Sequence, residues 1–364
     1  MRLIRPVSMV RLGALLLGLS VCLPLTADAA QKTTRKKSTT TQASTQSSAT
    51  PKVARTSAYS ASASQARKAR LARARAAART REIVRMRALH DAMTPHFKTD
   101  ANGELVPDLR AAAAIIFNPA NGQVLWEENA QEKRSIASIT KVMTTVVFLE
   151  DNPDLNQEVT VERSDVYAAS TTYLKANDRL TYSEVLHLVL IASDNAAARV
   201  LARNSHGGTA SFVERMNEKA LELGLENTSF TDPSGLNPAN VSSAYDLSRL
   251  ISFAAADERI APIMQTATYT VKTNRRSINI HSTNRLVMEG MDVVGGKTGF
   301  ISKAGYCLAT LLRLPQSNNQ VAVVVLGAQS NPGRFWETRH LFNWLSDKAS
   351  VLFGKEELPH DQLR

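Results

Sequence analysis

Three short segments of this sequence each set a residue that can react beside one that can activate it. Ser138 and Lys141 stand three positions apart, and on a helix that spacing places both side chains on one face. A serine hydroxyl attacks a carbonyl only when a neighbouring base takes its proton. A lysine serves as that base once desolvation and positive neighbours lower its proton affinity, and the N–H groups at a helix start favour negative charge developing nearby. Ser193-Asp194-Asn195 interrupts two apolar, helix-forming runs, 182–192 and 196–204. There Ser193 can pass a proton between Lys141 and a leaving amine, and Asn195 can hold a substrate amide. Lys297-Thr298-Gly299 follows Gly295-Gly296 and precedes Phe300. This run reads as a strand leading to a sheet edge, where a glycine admits close backbone approach and a cation with a hydroxyl can hold a carboxylate. Singly, each segment is ordinary. Ser138 could as well cap a helix, Ser-Asp-Asn is common loop chemistry, and the third is any glycine-bounded strand.

Their joint occurrence in the order S-x-x-K, S-D-N, K-T-G is the signature set of penicillin-binding proteins and serine β-lactamases, which residues 108–350 resemble. The segments Ala137-Ser-Ile-Thr-Lys-Val-Met-Thr144, Phe230-Thr-Asp-Pro-Ser-Gly-Leu236, Thr283-Asn-Arg-Leu286 and Lys297-Thr-Gly-Phe-Ile-Ser-Lys-Ala-Gly305 narrow the likeness. They resemble the low-molecular-weight penicillin-binding proteins, the D-alanyl-D-alanine carboxypeptidase/endopeptidase family. That resemblance implies Ser138 as the acylated nucleophile, Lys141 as general base and Ser193 as proton relay. Asn195 would bind the substrate backbone, Lys297 and Thr298 of the Lys-Thr-Gly299 strand its carboxylate, and the backbone N–H groups of Ser138 and Phe300 would form the oxyanion hole. It also implies peptidoglycan peptide stems as substrate, β-lactams as covalent inhibitors and no cofactor. Phe300 within Lys-Thr-Gly-Phe…Ala-Gly-Tyr-Cys-Leu, and a chain ending soon after its last helix, point to the single-domain, endopeptidase-like subgroup. A serine β-lactamase and a non-catalytic wall-binding module are the alternatives. Glu222 and Glu226 follow Ser-Asp-Asn as a lactamase's deacylating carboxylate does, but Glu222 closes a helix stopped by Gly224, so both read as surface carboxylates.

The elements that must position these groups follow from periodicity. Strands are expected at 111–118 and 123–128 around a Pro119-Ala-Asn-Gly122 turn, and at 293–300, 305–314 and 320–329. Helices are expected at 138–150, 182–192, 196–204, 211–223, 243–255 and 334–352. Two early strands, a long helical insert, three late strands and a closing helix predict an α+β fold. In the terms of the resemblance it is β-lactamase/transpeptidase-like: a five-stranded antiparallel sheet covered by helices, plus a helical lobe.

Charge divides the chain. Residues 1–100 hold 19 Lys and Arg against 4 Asp and Glu, a net of +15; subtracted from the total of +11, this leaves residues 101–364 at −4. Arg2, Arg5 and Arg11 precede an apolar run at 12–25 that ends in Ala27-Asp28-Ala29-Ala30. Residues 1–30 therefore read as a secretory signal, and export together with the resemblance implies the periplasm; the run falls short of the ~20 residues of a membrane span. Residues 31–107 read as an unstructured Thr/Ser/Lys tract followed by a basic, helix-forming Ala/Arg arm. Its residues 66–90 suit an anionic membrane or wall surface, while export argues for no nucleic acid partner. The peptidase domain is expected at 108–352 and a polar tail at 353–364. With Cys22 in the signal, Cys307 is the one cysteine left, a thiol expected in the core. The seven histidines form no H-E-x-x-H or Cys/His cluster, so no zinc site is expected, and His187 in an apolar run reads as a core residue.

Overall fold

Two early apolar runs and three late ones come together as one sheet. The computed structural model describes residues 56–315 and 318–352; the expected signal segment and polar tail lie outside them. The chain divides after Arg70, and Leu71–Arg364 forms the unit that carries every strand among the described residues. In chain order its elements are α1 (Thr56–Met93), β1 (Phe97–Thr99), β2 (Leu105–Pro107), β3 (Ala113–Asn118), β4 (Gln123–Glu128), α2 (Thr140–Glu150), α3 (Tyr182–Leu190), α4 (Asn195–Asn204), α5 (Gly208–Glu222), α6 (Ala244–Ala255), β5 (Val293–Ile301), β6 (Gly305–Arg313), β7 (Gln320–Ala328) and α7 (Asn331–Leu352). Shorter turns of helix and ribbon lie between them, and α1 alone crosses the division.

The main sheet runs β5-β6-β7-β3-β4, and every neighbouring pair is antiparallel. Side chains of a strand alternate between faces, and here helices cover both. Val321, Val323 and Val325 of β7 pack with Phe335, Leu341, Phe342 and Leu345 of α7. Ala322, Val324 and Leu326 turn to the other face, into a core shared with α2, α3, α4 and α6. With no solvent face, β7 reads as an unbroken apolar run rather than an alternating one. Helix α6 buries Leu247, Leu250, Ile251 and Ala254, the i, i+3, i+4, i+7 stripe of a helix lying on a core. Side-chain caps fix the starts of α3, α4 and α6: Thr181 accepts from the N–H of Glu184, Asp194 from that of Ala197 and Ser243 from that of Asp246.

Three features depart from the sequence expectation. The helix expected from Ser138 begins as a 3-10 turn, Ala137–Ile139, before α2 takes over. Ordered structure begins ahead of residue 108: the β1–β2 hairpin docks on α7, where Trp344 Nε1 donates to Leu105 O at 3.2 Å and His340 Nε2 lies 2.8 Å from His96 O. Two small antiparallel ribbons, Glu158–Thr160 with Arg179–Thr181 and Thr268–Lys272 with Ser277–His281, occupy stretches to which the sequence assigned no element. Strands of three to five residues with a half-exposed pattern carry too few apolar positions for periodicity to show them. Arm residues 71–91 are exposed along the helix, and among the described residues no helix is long and apolar enough to cross a membrane.

Candidate active site

The 3-10 turn holding Ser138 depends on unusual backbone. Ala137 has φ 49°, a left-handed conformation that costs a non-glycine residue on the order of 1–3 kcal/mol. Two glycines press against this turn. A Cβ on Gly299 would stand 2.6 Å from Ile136 O, and one on Gly235, where φ is +78°, would stand 2.0 Å from Ala137 O. The glycine of Lys-Thr-Gly is thus required by steric contact between edge strand β5 and the nucleophile's turn.

Lys141 lies one helical turn beyond Ser138 and is wholly buried, 0% exposed. Its Nζ is 3.0 Å from Ser138 Oγ, 2.6 Å from Asn195 Oδ1 and 2.5 Å from Ser234 O. Burial pulls its pKa down to about 7 against the charges of Asp194 and Asp232, with Arg199 assisting the fall. An amine poised near neutrality beside a hydroxyl is the condition for general-base activation of serine.

Across the cleft, Lys297 Nζ donates to Ser193 Oγ at 2.7 Å and to Thr298 O at 2.9 Å. Burial first, then the charges of Lys141 and Arg334, hold this ammonium well below the ordinary lysine value. Ser193, itself left-handed at φ 59°, is therefore bonded to Lys297 and not to Lys141. Asn195 is more committed than a free substrate-binding amide: its Oδ1 accepts from Lys141 while its Nδ2 donates to Ala169 O at 2.7 Å. As the first residue of α4, it turns this side chain inward.

The cleft, about 420 Å³, is walled by Ser138, Ser193, Asn195, Thr298, Gly299 and Phe300 among others. Lys141 and Lys297 stand directly behind the wall. All eight residues expected from the sequence thus gather at one place. Phe300 is 49% exposed and stacks on Tyr306 at 4.2 Å between ring centres. Lys141, Lys297 and Arg334 bring three basic side chains to one small cavity, chemistry that suits an anion such as a carboxylate.

Four contributors were not singled out for chemistry in the sequence. Ser234 supplies a carbonyl to Lys141. Asp194 receives the N–H of Tyr173 and the hydroxyl of Thr172, fixing the loop opposite. Thr283 Oγ1 accepts from Thr298 Oγ1 at 2.7 Å. Arg334 reaches from α7 to donate to Gly299 O and Cys307 O. Ser234 and Thr283 lie in two of the resembling segments, which was the available signal; nothing marked Arg334.

Other expectations for single residues also have an outcome. Glu222 and Glu226 are exposed and absent from the cleft wall. His187 is part-buried, its Nδ1 2.7 Å from Ser183 O and its ring stacked on Tyr269. Cys307 is fully buried, and burial pushes its thiol up to about 11. A larger hollow, about 680 Å³, lies at the end of the sheet against Phe117, Leu223, Arg249 and Phe253. Its wall brings no nucleophile and base together.

The chain is similar to known proteins of one kind. Residues 100–330 match the family described as D-alanyl-D-alanine carboxypeptidase. A D-alanyl-D-alanine endopeptidase of Escherichia coli is 31% identical over 246 residues, covering 66% of this chain and 78% of that protein. One of Haemophilus influenzae is 31% identical over 227 residues, covering 62% and 78%. Among solved structures, the DD-transpeptidase of Streptomyces K15 superposes with a TM-score of 0.62 at 29% identity, over 65% of this chain and 97% of that one.

Proposed function

Because the chain belongs to the D-alanyl-D-alanine carboxypeptidase family and is a serine DD-peptidase of the low-molecular-weight penicillin-binding class, we propose that it cleaves peptidoglycan peptide stems through an acyl-enzyme on Ser138. The observation that carries this reading is the buried Lys141 amine, 3.0 Å from Ser138 Oγ and brought to about 7. As Ser138 Oγ bonds to the carbonyl carbon of a D-alanyl residue, its proton moves to Lys141 Nζ. The N–H groups of Ser138 and Phe300 receive the oxyanion. The C–N bond then breaks, and Lys141 passes the proton it took from Ser138 to the leaving amine by way of Ser193, which Lys297 holds at the cleft, so that Lys141 is neutral again. Water deprotonated by Lys141 attacks the ester and returns Ser138. Lys297, Thr298 and Arg334 gather the substrate carboxylate, which offsets the crowding of positive charge there. A β-lactam presents the same carbonyl and carboxylate, so it acylates Ser138.

Within this activity the crosslink between stems is the favoured bond. Support comes from the match to two proteins named D-alanyl-D-alanine endopeptidase over 78% of their length, and from Phe300 with its following run. The N-terminal signal pattern supports export to the periplasm, and the exposed arginines of α1 support attachment to an anionic membrane or wall surface. Fluorescent penicillin should label the wild type and leave Ser138→Ala unlabelled; a labelled Ser138→Ala would overturn the assignment. Crosslinked muropeptides should be converted to monomers, whereas release of free D-Ala alone would sink the endopeptidase preference.

A further inference from the structure

Reading Lys141 as the base gives meaning to a loop that otherwise carries no chemistry. A neutral lysine amine has two N–H donors and one lone pair. Two of the three contacts of Lys141 Nζ are oxygens that can only accept, Asn195 Oδ1 and Ser234 O; the third is the Ser138 hydroxyl. With both N–H groups given to these acceptors, the lone pair is left for the Ser138 proton. Asn195 is fixed by its own bond to Ala169 O. The Ser234 carbonyl has no strand or helix to hold it and is fixed by Asp232. Oδ1 of Asp232 accepts from Ser234 N (2.7 Å), Ser234 Oγ (2.5 Å) and Gly235 N (2.9 Å). Its Oδ2 accepts from Asn237 N (2.8 Å) and Asn240 Nδ2 (2.6 Å). The same loop is tied to α2 by the hydroxyl of Thr144, which donates to Pro233 O at 2.6 Å.

We propose that Asp232 is a positioning residue for the general base, locking the Ser234 carbonyl against Lys141 Nζ so that the amine's lone pair faces Ser138. The carboxylate stays charged in this role: burial raises it, and the hydrogen bonds from Ser234, Asn237 and Asn240 outweigh burial and hold it below the usual value. The charged groups bearing on Lys141 are Asp194 and Asp232, with Arg199 and Lys297 opposing them. Removing Asp232's charge therefore leaves the amine surrounded by more positive charge and easier to deprotonate.

The inference rests on Lys141 acting as base, and the test separates the two. Acylation of Ser138 by a penicillin is followed by intact-mass spectrometry on the full chain from pH 5 to 9, for wild type, Asp232→Asn, Asp232→Glu and Lys141→Ala, with thermal melting alongside. Asp232→Asn should slow acylation about 10–100-fold per folded molecule, the cost expected of a reacting group displaced by about an ångström, and should move the rising limb of the pH profile to lower pH. Asp232→Glu keeps the charge but displaces the carboxylate, so it should slow acylation while leaving the limb in place. It also carries the test if Asp232→Asn does not fold. A lower melting temperature with wild-type acylation and an unmoved limb would show a purely structural role and overturn the proposal. Wild-type acylation by Lys141→Ala would instead bring down the base assignment itself.

Discussion

The protein places positive charge in two regions, and only one of them can do acid–base chemistry. Along α1, Arg73, Arg75, Arg79, Arg81, Arg85 and Arg87 stand exposed in water. In the cleft, Lys141 and Lys297 are buried behind the wall, 0% and 1% exposed. An arginine keeps its proton at any working pH, so the arm acts only through its electric field, which salt screens within about 10 Å. A lysine stripped of water pays for its charge and gives it up near neutrality. Residue type and solvation together leave one positive region permanently charged and let the other give up its proton.

The severest challenge to that contrast removes the base. Lys141→Ala should lose roughly 10³–10⁴-fold in acylation rate, the upper range for one proton-transfer group, and Ser138→Ala should form no adduct; both are read by mass spectrometry. The pH profile comes next. Only the neutral amine can accept the Ser138 proton, so acylation should rise about tenfold per pH unit below about 7 and level off above it. Stability moves in a linked way: between about 7 and the ordinary lysine value near 10.4 the unfolded chain binds a proton that the folded chain does not, so this residue's penalty shrinks as pH rises. Lys141→Met should therefore gain most over wild type in denaturant melts below pH 7 and progressively less towards pH 10. Lys297→Ala should cost about 10–100-fold against carboxylate-bearing ligands, the loss of one charged hydrogen bond, with less effect on a ligand whose carboxylate is esterified. The smallest effect belongs to the arm: six Arg→Gln changes on α1 should leave acylation by soluble penicillin within about twofold while abolishing salt-sensitive co-sedimentation with anionic vesicles or isolated wall. An arm variant that lost acylation would break the contrast.

Much of the site was legible because its chemistry is written in side chains. Ser138, Lys141, Ser193, Asn195, Lys297, Thr298, Gly299 and Phe300 all reach one cleft or the layer behind it. The five sheet strands were legible too, since apolar runs buried on both faces stand out from their polar turns. The rest hid for identifiable reasons. Ser234 acts through its carbonyl, which no residue type announces. Arg334 is brought to Gly299 by the packing of α7, a contact with no local spacing to betray it. Ser193 reads as a partner of Lys141 because both motifs suit proton transfer, whereas the fold seats its hydroxyl on Lys297, a contact between distant segments that no spacing announces.

The turn that carries Ser138 is gripped between Gly235 and Gly299, residues far along the chain from it and from each other. Contacts of such long sequence separation form late, because the closure entropy of a large loop must be met first. A chain that has made α2 but not yet seated β5 and the Asp232 loop has a serine and a lysine in register without the clamp or the acceptors that aim them. Acylation of Ser138 should therefore follow the seating of these long-range contacts during refolding rather than the formation of α2.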